Sequence, residues 1–248
     1  MITENEVFNC AGWQAINRIS SLSHIHNVFF QNGLELHNLL NEIHNDVQVS
    51  QDTQEKVFYH LQQKIFNYLA ASSALTDNAR RFMKYYKETT FYKEYEKKVI
   101  ELFQNNKLSH FIRNLRNYQT HFELVFPYPV RSLEDDKHWD VVLISAELLK
   151  HKEEWNLEAK EFIKDCGKEV NLTQTFAEYT NIINSFYLWL YTKFSEYHKD
   201  DLIEREQLIR QAKLQSLEQK INPLNLTSDW CEGIINFLQE RSNKLKPE

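Results

Sequence analysis

Residues Leu108–Phe122 read LSHFIRNLRNYQTHF, a stretch with no glycine, no proline and no acid. Wound at about 100° per residue, it separates into two faces. Leu108, Phe111, Ile112, Leu115, Tyr118 and Phe122 gather on one side. His110, Arg113, Arg116, Asn117, Thr120 and His121 fall within about 140° of one another on the other side. Only Gln119 lands among the apolar positions. An apolar stripe of this width must be buried against another element, so the spacing predicts a helix over about 108–123 packed within a larger helical assembly.

The rest of the chain supports an all-α protein. Four glycines and four prolines in 248 residues, beside plentiful Leu, Glu, Lys, Gln and Asn, leave few turn formers and favour long helices. Aromatic residues make up 13% of the chain and recur at helical spacing, which suits thick helix packing. No apolar run reaches the roughly 18 residues of a membrane span, and Met1–Asn9 carries acids rather than a basic and then apolar leader. The expectation is a cytoplasmic protein with no membrane partner. Cys10, Cys166 and Cys231 are odd in number and lack CxxC spacing, so they read as reduced, buried thiols.

Working outward from the opening stretch, helical periodicity over 5–46 falters near Ser20–Ser23 and Gly33, which predicts two helices, about 5–20 and 24–45. Asp52 is a candidate N-cap for a helix to about Tyr86, and Thr89-Thr90 marks a joint before another over about 91–104. Pro127 and Pro129 make the segment after the opening stretch the clearest boundary in the chain. VVLIS (141–145) reads either as an isolated strand or as an extended link. Ser145 would cap a helix over about 146–165 that Gly167 ends. A very long helix is expected over about 173–220, stopped by Asn222-Pro223, and a last one from a Ser228 cap to about Arg241. The division is then a helical domain over 1–125, a Pro-containing linker over 126–145 and a helical C-terminal region over 146–248.

Charge is unevenly spread. Ten Lys or Arg and only four Glu lie between Arg80 and His121, in a chain whose net charge is −6. A cationic segment in an acidic protein suits a localised polyanion site; a solvated helix pair would give the same count. Polar helix faces usually mix both signs of charge, because acid and base at i, i+4 stabilise the helix. The face holding Arg116 has no acid, which leaves two readings, an active site or the polar side of a surface helix.

LRNYQTHFEL (115–124) resembles the signature of the HEPN superfamily, all-α domains that carry R-x4-6-H near the end of a helix, commonly with a polar residue after the arginine. It is similar in particular to the metal-independent RNase modules that end the unfolded-protein-response kinase-nuclease and the antiviral 2-5A-dependent RNase. The likeness is specific over about ten residues, and the helical order agrees loosely over about 1–125. It implies a HEPN-like helical bundle, here with a long-helix C-terminal extension. It makes Arg116 the cation, Asn117 its polar companion and His121 the acid-base residue of an endoribonuclease that needs no cofactor and no metal.

The residue types fit that chemistry. RNA carries its own nucleophile, the 2′-hydroxyl. An imidazole can move the protons, and a planar guanidinium can fork onto two phosphate oxygens. Asn117 would orient the histidine or donate to a phosphate oxygen. The products would be a 2′,3′-cyclic phosphate and a 5′-hydroxyl. Because acid and base roles fall to two groups, one histidine per chain is too few. The resemblance implies a homodimer in which two motif helices face one another, and a toxin or antiviral defence effector held by an antitoxin or other regulatory protein. The alternative is a non-catalytic HEPN-like protein that binds RNA, a nucleotide or a partner; a helical scaffold with a chance motif is a third reading.

Arg113, His110 and Thr120 on the same face, with Arg80, Arg81 and Lys84, are candidates for binding RNA away from the scissile bond, where charge suffices. Tyr118 reads as core, and Tyr128 as a packing residue or a base-stacking one. His24, His26, His37 and His44 lack the close i, i+4 pairing or carboxylate partners of a metal site. Trp139, Trp155, Trp189 and Trp230 read as core or interface residues.

Overall fold

The computed structural model describes residues 4–45, 51–131 and 138–219, and they are mostly helical. In chain order the elements are α1 (Glu4–Asn9), α2 (Ala11–Asn45), α3 (Gln51–Met83), α4 (Thr90–Val99), α5 (Lys107–His121), β1 (Tyr128–Arg131), β2 (Trp139–Ile144), α6 (Ser145–Leu148), α7 (Leu157–Asp165), β3 (Glu169–Asn171), α8 (Leu172–Tyr197) and α9 (Lys199–Gln219). Short 3-10 turns follow α3 and α6, and a π turn follows α4. Among the described residues no helix is long and apolar enough to cross a membrane.

The described residues form two compact units, one within 4–24, 82–95 and 184–219, the other within 25–45, 51–81, 96–131 and 138–183. In the first, Phe82, Tyr86, Phe91, Phe194 and Tyr197 make an aromatic cluster. Tyr86 lies 3.0 Å from His198 Nε2, and His198 Nδ1 lies 2.7 Å from Asp201 Oδ2. Burial pushes the Tyr86 hydroxyl up to about 12, against the lowering effect of Arg18. Helix α2 meets α9 at Gly12, where any Cβ would collide with the Asp201 carbonyl.

The second unit contains the opening stretch. Tyr68 of α3 packs against Phe29 of α2 and Phe176 of α8, and its hydroxyl pairs with Thr180 at 2.8 Å. A small antiparallel sheet, in the order β1-β2-β3, buries Val141, Val142 and Leu143 of its central strand. Register pairs Tyr128 with Val142, and Val142 with Asn171. VVLIS is therefore the middle of a sheet and neither isolated nor a link. Helix α5 lies against α7 and the turn before it: Phe111 stacks on Trp155 and Phe162, and Tyr118 stacks on Trp155.

Several element boundaries depart from the sequence reading for local reasons. The expected break at Ser20–Ser23 is absent, because Ser20 donates to the Ile16 carbonyl at 2.8 Å and stays helical. Gly33 also continues α2; its missing side chain lets Tyr68 approach, since a Cβ there would lie 3.3 Å from the ring. The helix breaks at Cys10 instead, where the thiol accepts a bond from Trp13 N at 3.4 Å. Cys10 and Cys166 are partly exposed rather than buried.

The single helix expected over 146–165 is interrupted, since Asn156 caps a new helix by accepting from Ala159 N. Ser145 is not a cap; its side chain donates to the Ile163 carbonyl at 3.5 Å. The long helix expected over 173–220 divides at His198. Asn222-Pro223, the helix from Ser228, Trp230 and Cys231 lie outside the described residues.

Because Trp155 is buried between Phe111 and Tyr118, Trp155→Ala should destabilise the protein by about 3–5 kcal/mol in a urea titration. A loss below about 1 kcal/mol would show that α5 does not depend on this stack.

Candidate functional site

Helix α5 is closed at both ends by its own sequence. Asn106 adopts extended backbone and its side chain accepts from Ser109 N at 3.0 Å, satisfying one of the first-turn donors. At the other end the N–H groups of Phe122 and Glu123 both donate to the Tyr118 carbonyl, at 2.9 and 3.0 Å. His121 is therefore the last helical residue, and its side chain is exposed.

Arg116 is half-buried and Asn117 exposed. Arg116 Nη1 donates to Asn117 Oδ1 at 3.2 Å, so the pair is pre-arranged side by side. That bond uses one of five guanidinium donors and leaves the Asn117 amide nitrogen directed to other partners. The Thr120 hydroxyl donates to the Arg116 carbonyl, a back-bond within the helix. Among the described residues, Arg113, Arg116 and His121 form no ion pair. Arg113 is exposed, and its charge opposes the rise that burial imposes on Tyr179 of α8.

His110 is placed differently. Its Nε2 lies 2.9 Å from the Gln104 carbonyl, and its Nδ1 lies 2.7 Å from Asn156 Nδ2 and 3.3 Å from Arg113 Nη2. Donation by Asn156 and Arg113 makes Nδ1 an acceptor, so the hydrogen sits on Nε2 and points at Gln104. This histidine fastens α5 to its surroundings. Acids also reach this end of the helix from α7: Glu158 lies 3.7 Å from His110 Nδ1, and Lys107 pairs with Asp165 at 2.8 Å and Glu161 at 3.1 Å. Hydrogen bonds to Asp165 and then Glu161 hold the Lys107 ammonium above its usual range. In the first turn Lys107 is thus ion-paired by α7, whereas Arg113, Arg116 and His121 form no ion pair among the described residues.

The remaining candidates are on other elements or in the core. Arg80 and Arg81 are exposed in the last turn of α3, with Arg80 at 3.4 Å from Asp77. Lys84 is exposed in the following turn, within the first unit. Tyr118 is buried, and Tyr128 is partly exposed with its hydroxyl 3.5 Å from Glu147.

Two residues that sequence reasoning passed over organise the site. Asn114 is buried on α5; its Nδ2 donates to the His110 carbonyl at 2.9 Å and its Oδ1 accepts from Asn156 N at 2.9 Å. Asn156 thereby touches both His110 and Asn114 while capping α7. The available signal was Asn156 itself, a good N-cap residue just ahead of Leu157-Glu158. Gln119 is buried as its helical position requires.

No family model matches this chain, and no curated protein or solved structure matches it either.

Asn114→Ala leaves the part-buried Asn156 N–H without its acceptor, which should cost about 1 kcal/mol in chemical denaturation. An unchanged midpoint would mean that the Asn114–Asn156 contact contributes nothing to holding α5 on α7.

Proposed function

We propose that this chain is a metal-independent endoribonuclease with a HEPN-like helical bundle, in which Arg116, Asn117 and His121 act on RNA and two copies supply the acid and the base. The observation that carries the reading is the exposed end of α5. An arginine is bonded to the adjacent asparagine, and an exposed histidine follows four residues after that asparagine, on a stretch of the helix where Arg113, Arg116 and His121 form no ion pair among the described residues. The likeness of LRNYQTHFEL to a known RNase signature supports the same assignment.

In the reaction, the 2′-oxygen of a ribose bonds to the neighbouring phosphorus as the bond to the 5′-oxygen breaks. One His121 takes the 2′-hydroxyl proton, and the same residue of a second copy gives a proton to the departing 5′-oxygen. Arg116 forks onto the two non-bridging oxygens, where negative charge builds in the phosphorane. Asn117 Oδ1 fixes the guanidinium while its amide nitrogen faces the phosphate or the imidazole. Arg113, about one turn earlier, holds a flanking phosphate by charge. His110 and Thr120 support the face through bonds to their own chain. A second, non-catalytic reading is favoured by one feature, the single exposed histidine on this face of one chain.

Purified protein incubated with mixed RNA in EDTA should yield 2′,3′-cyclic phosphate ends. Arg116→Ala and His121→Ala should each lower the rate by about 10²–10⁴-fold. Cleavage that survives both substitutions, or stops in EDTA, contradicts the proposal. Arg113→Ala should weaken RNA binding with little dependence on base sequence and reduce the salt slope of log Kd by about one; an unchanged slope removes Arg113 from the RNA path.

A further inference from the structure

The end of α5 carries a group of side chains that the proposed reaction does not use. Phe122 caps the helix and stays exposed, its ring 5.0 Å from that of Tyr118 and 4.6 Å from that of His151. His151 arrives from the turn Leu149–Glu154, whose helical course breaks at that residue (φ −108°, ψ 54°). Its imidazole is partly exposed and lies 6.5 Å from the Tyr118 ring. Around the helix axis His121 falls between Asn117 and Tyr118, so these rings border the face that holds Arg116, Asn117 and His121. All of them belong to the second unit.

The polar atoms beside the rings are mostly acceptors. His151 Nδ1 lies 4.0 Å from Glu153 Oε1, too far for a hydrogen bond, so that carboxylate keeps its acceptor positions. Tyr118 is only 5% exposed, yet no described residue hydrogen-bonds its hydroxyl. Burial holds that hydroxyl above its usual range, and the charges of Glu123, Glu154 and Glu153 raise it further, so it faces these acids. A buried phenol without a partner is uncommon, since the unmade bond costs free energy until a ligand supplies it.

These features select a ligand. Acids at this end of α5 repel a phosphate, so what rests on the rings is neutral or cationic. Exposed Phe and His rings receive unpaired bases, and an RNA held at Arg116 carries a base within one nucleotide of its phosphate. The bases differ in the edge they present. Guanine alone sets an acceptor, O6, beside two adjacent donors, N1–H and N2–H; a hydroxyl can donate to the first while one carboxylate accepts from both of the others. Uracil offers O4 and a single N–H, and adenine and cytosine place a donor where guanine has its acceptor.

We infer that a guanine base rests against Phe122 and His151, with the Tyr118 hydroxyl donating to O6 and the Glu153 carboxylate accepting from N1–H and N2–H. That the base flanks the scissile phosphate rests on the ribonuclease reading; recognition of the base does not require cleavage. Acids and cations then divide one substrate between them, the phosphate on Arg116 and the base on Glu153.

Binding is read by fluorescence anisotropy with 5′-labelled 2′-O-methyl pentanucleotides, which cannot undergo 2′-hydroxyl attack. UUGUU should bind about tenfold or more tighter than UUAUU and UUUUU, and the inosine strand UUIUU, which lacks the N2 amino group, should fall between. Glu153→Gln and Tyr118→Phe should each remove most of this preference with unchanged far-ultraviolet circular dichroism, whereas Phe122→Ala should weaken all four strands by about fivefold or more. Equal affinity for the four strands, no measurable binding of any, or a guanine preference indifferent to both Glu153→Gln and Tyr118→Phe overturns the inference. It is equally overturned if N-acetylargininamide, and not UUGUU, shifts the His151 ring resonances, which would make this the seat of a partner protein's basic side chain. A guanine preference in a protein that leaves unmodified RNA intact supports the base site while removing the ribonuclease reading. Cleavage of RNA by a protein with equal affinity for all four strands keeps that reading and removes the base site.

Discussion

Asn156 fastens helix α5 from outside. Its amide nitrogen reaches His110, its backbone N–H is accepted by Asn114, and its side-chain oxygen starts the helix that lies along α5. Around this polar contact Trp155 stacks between Phe111 and Tyr118. Once one face of α5 is held there, the rotation of the helix is determined, and with it which side chains meet solvent. Half-buried Arg116 and exposed Asn117 and His121 are the complement of what Asn156 and Trp155 bury.

The same contact divides the helix by role. Its first turns belong to the scaffold, with Lys107 and His110 engaged by Asp165, Glu161, Glu158 and Asn156. Its last turns carry Arg116, Asn117 and His121, and neither Arg116 nor His121 forms an ion pair among the described residues. Local charge is what a phosphate responds to, and it is set by both helices: α7 pairs with Lys107 at the near end, while Arg113, Arg116 and His121 form no ion pair among the described residues. The candidate RNA contacts are therefore not equivalent. Arg113 and Arg116 retain donors for a ligand, whereas both nitrogens of His110 already have partners.

Much of this was legible in the sequence where the cause is local. The two faces of α5, the burial of Tyr118 and Gln119, the helical character and the joint near Thr89 follow from periodicity and turn chemistry. What escaped notice has causes distant in sequence or too small for a periodicity argument. Nothing near residue 110 announces that Glu158 and Asn156 will arrive beside it. Ser20 keeps its helix by a bond to its own backbone, and Gly33 by admitting Tyr68, where the usual reading of such residues is a break. Short strands such as Glu169–Asn171 carry too few residues to show alternation, so the sheet around VVLIS went unseen.

The account rests on RNA supplying its own nucleophile to an arginine–asparagine–histidine face. The most direct test is cleavage of a short RNA with a single preferred cut site, compared with the same strand carrying 2′-deoxyribose at the nucleotide 5′ to that cut. The account predicts that the single deoxy substitution abolishes cleavage at that position while binding is retained. Cleavage of the deoxy-substituted strand at the original position would contradict it.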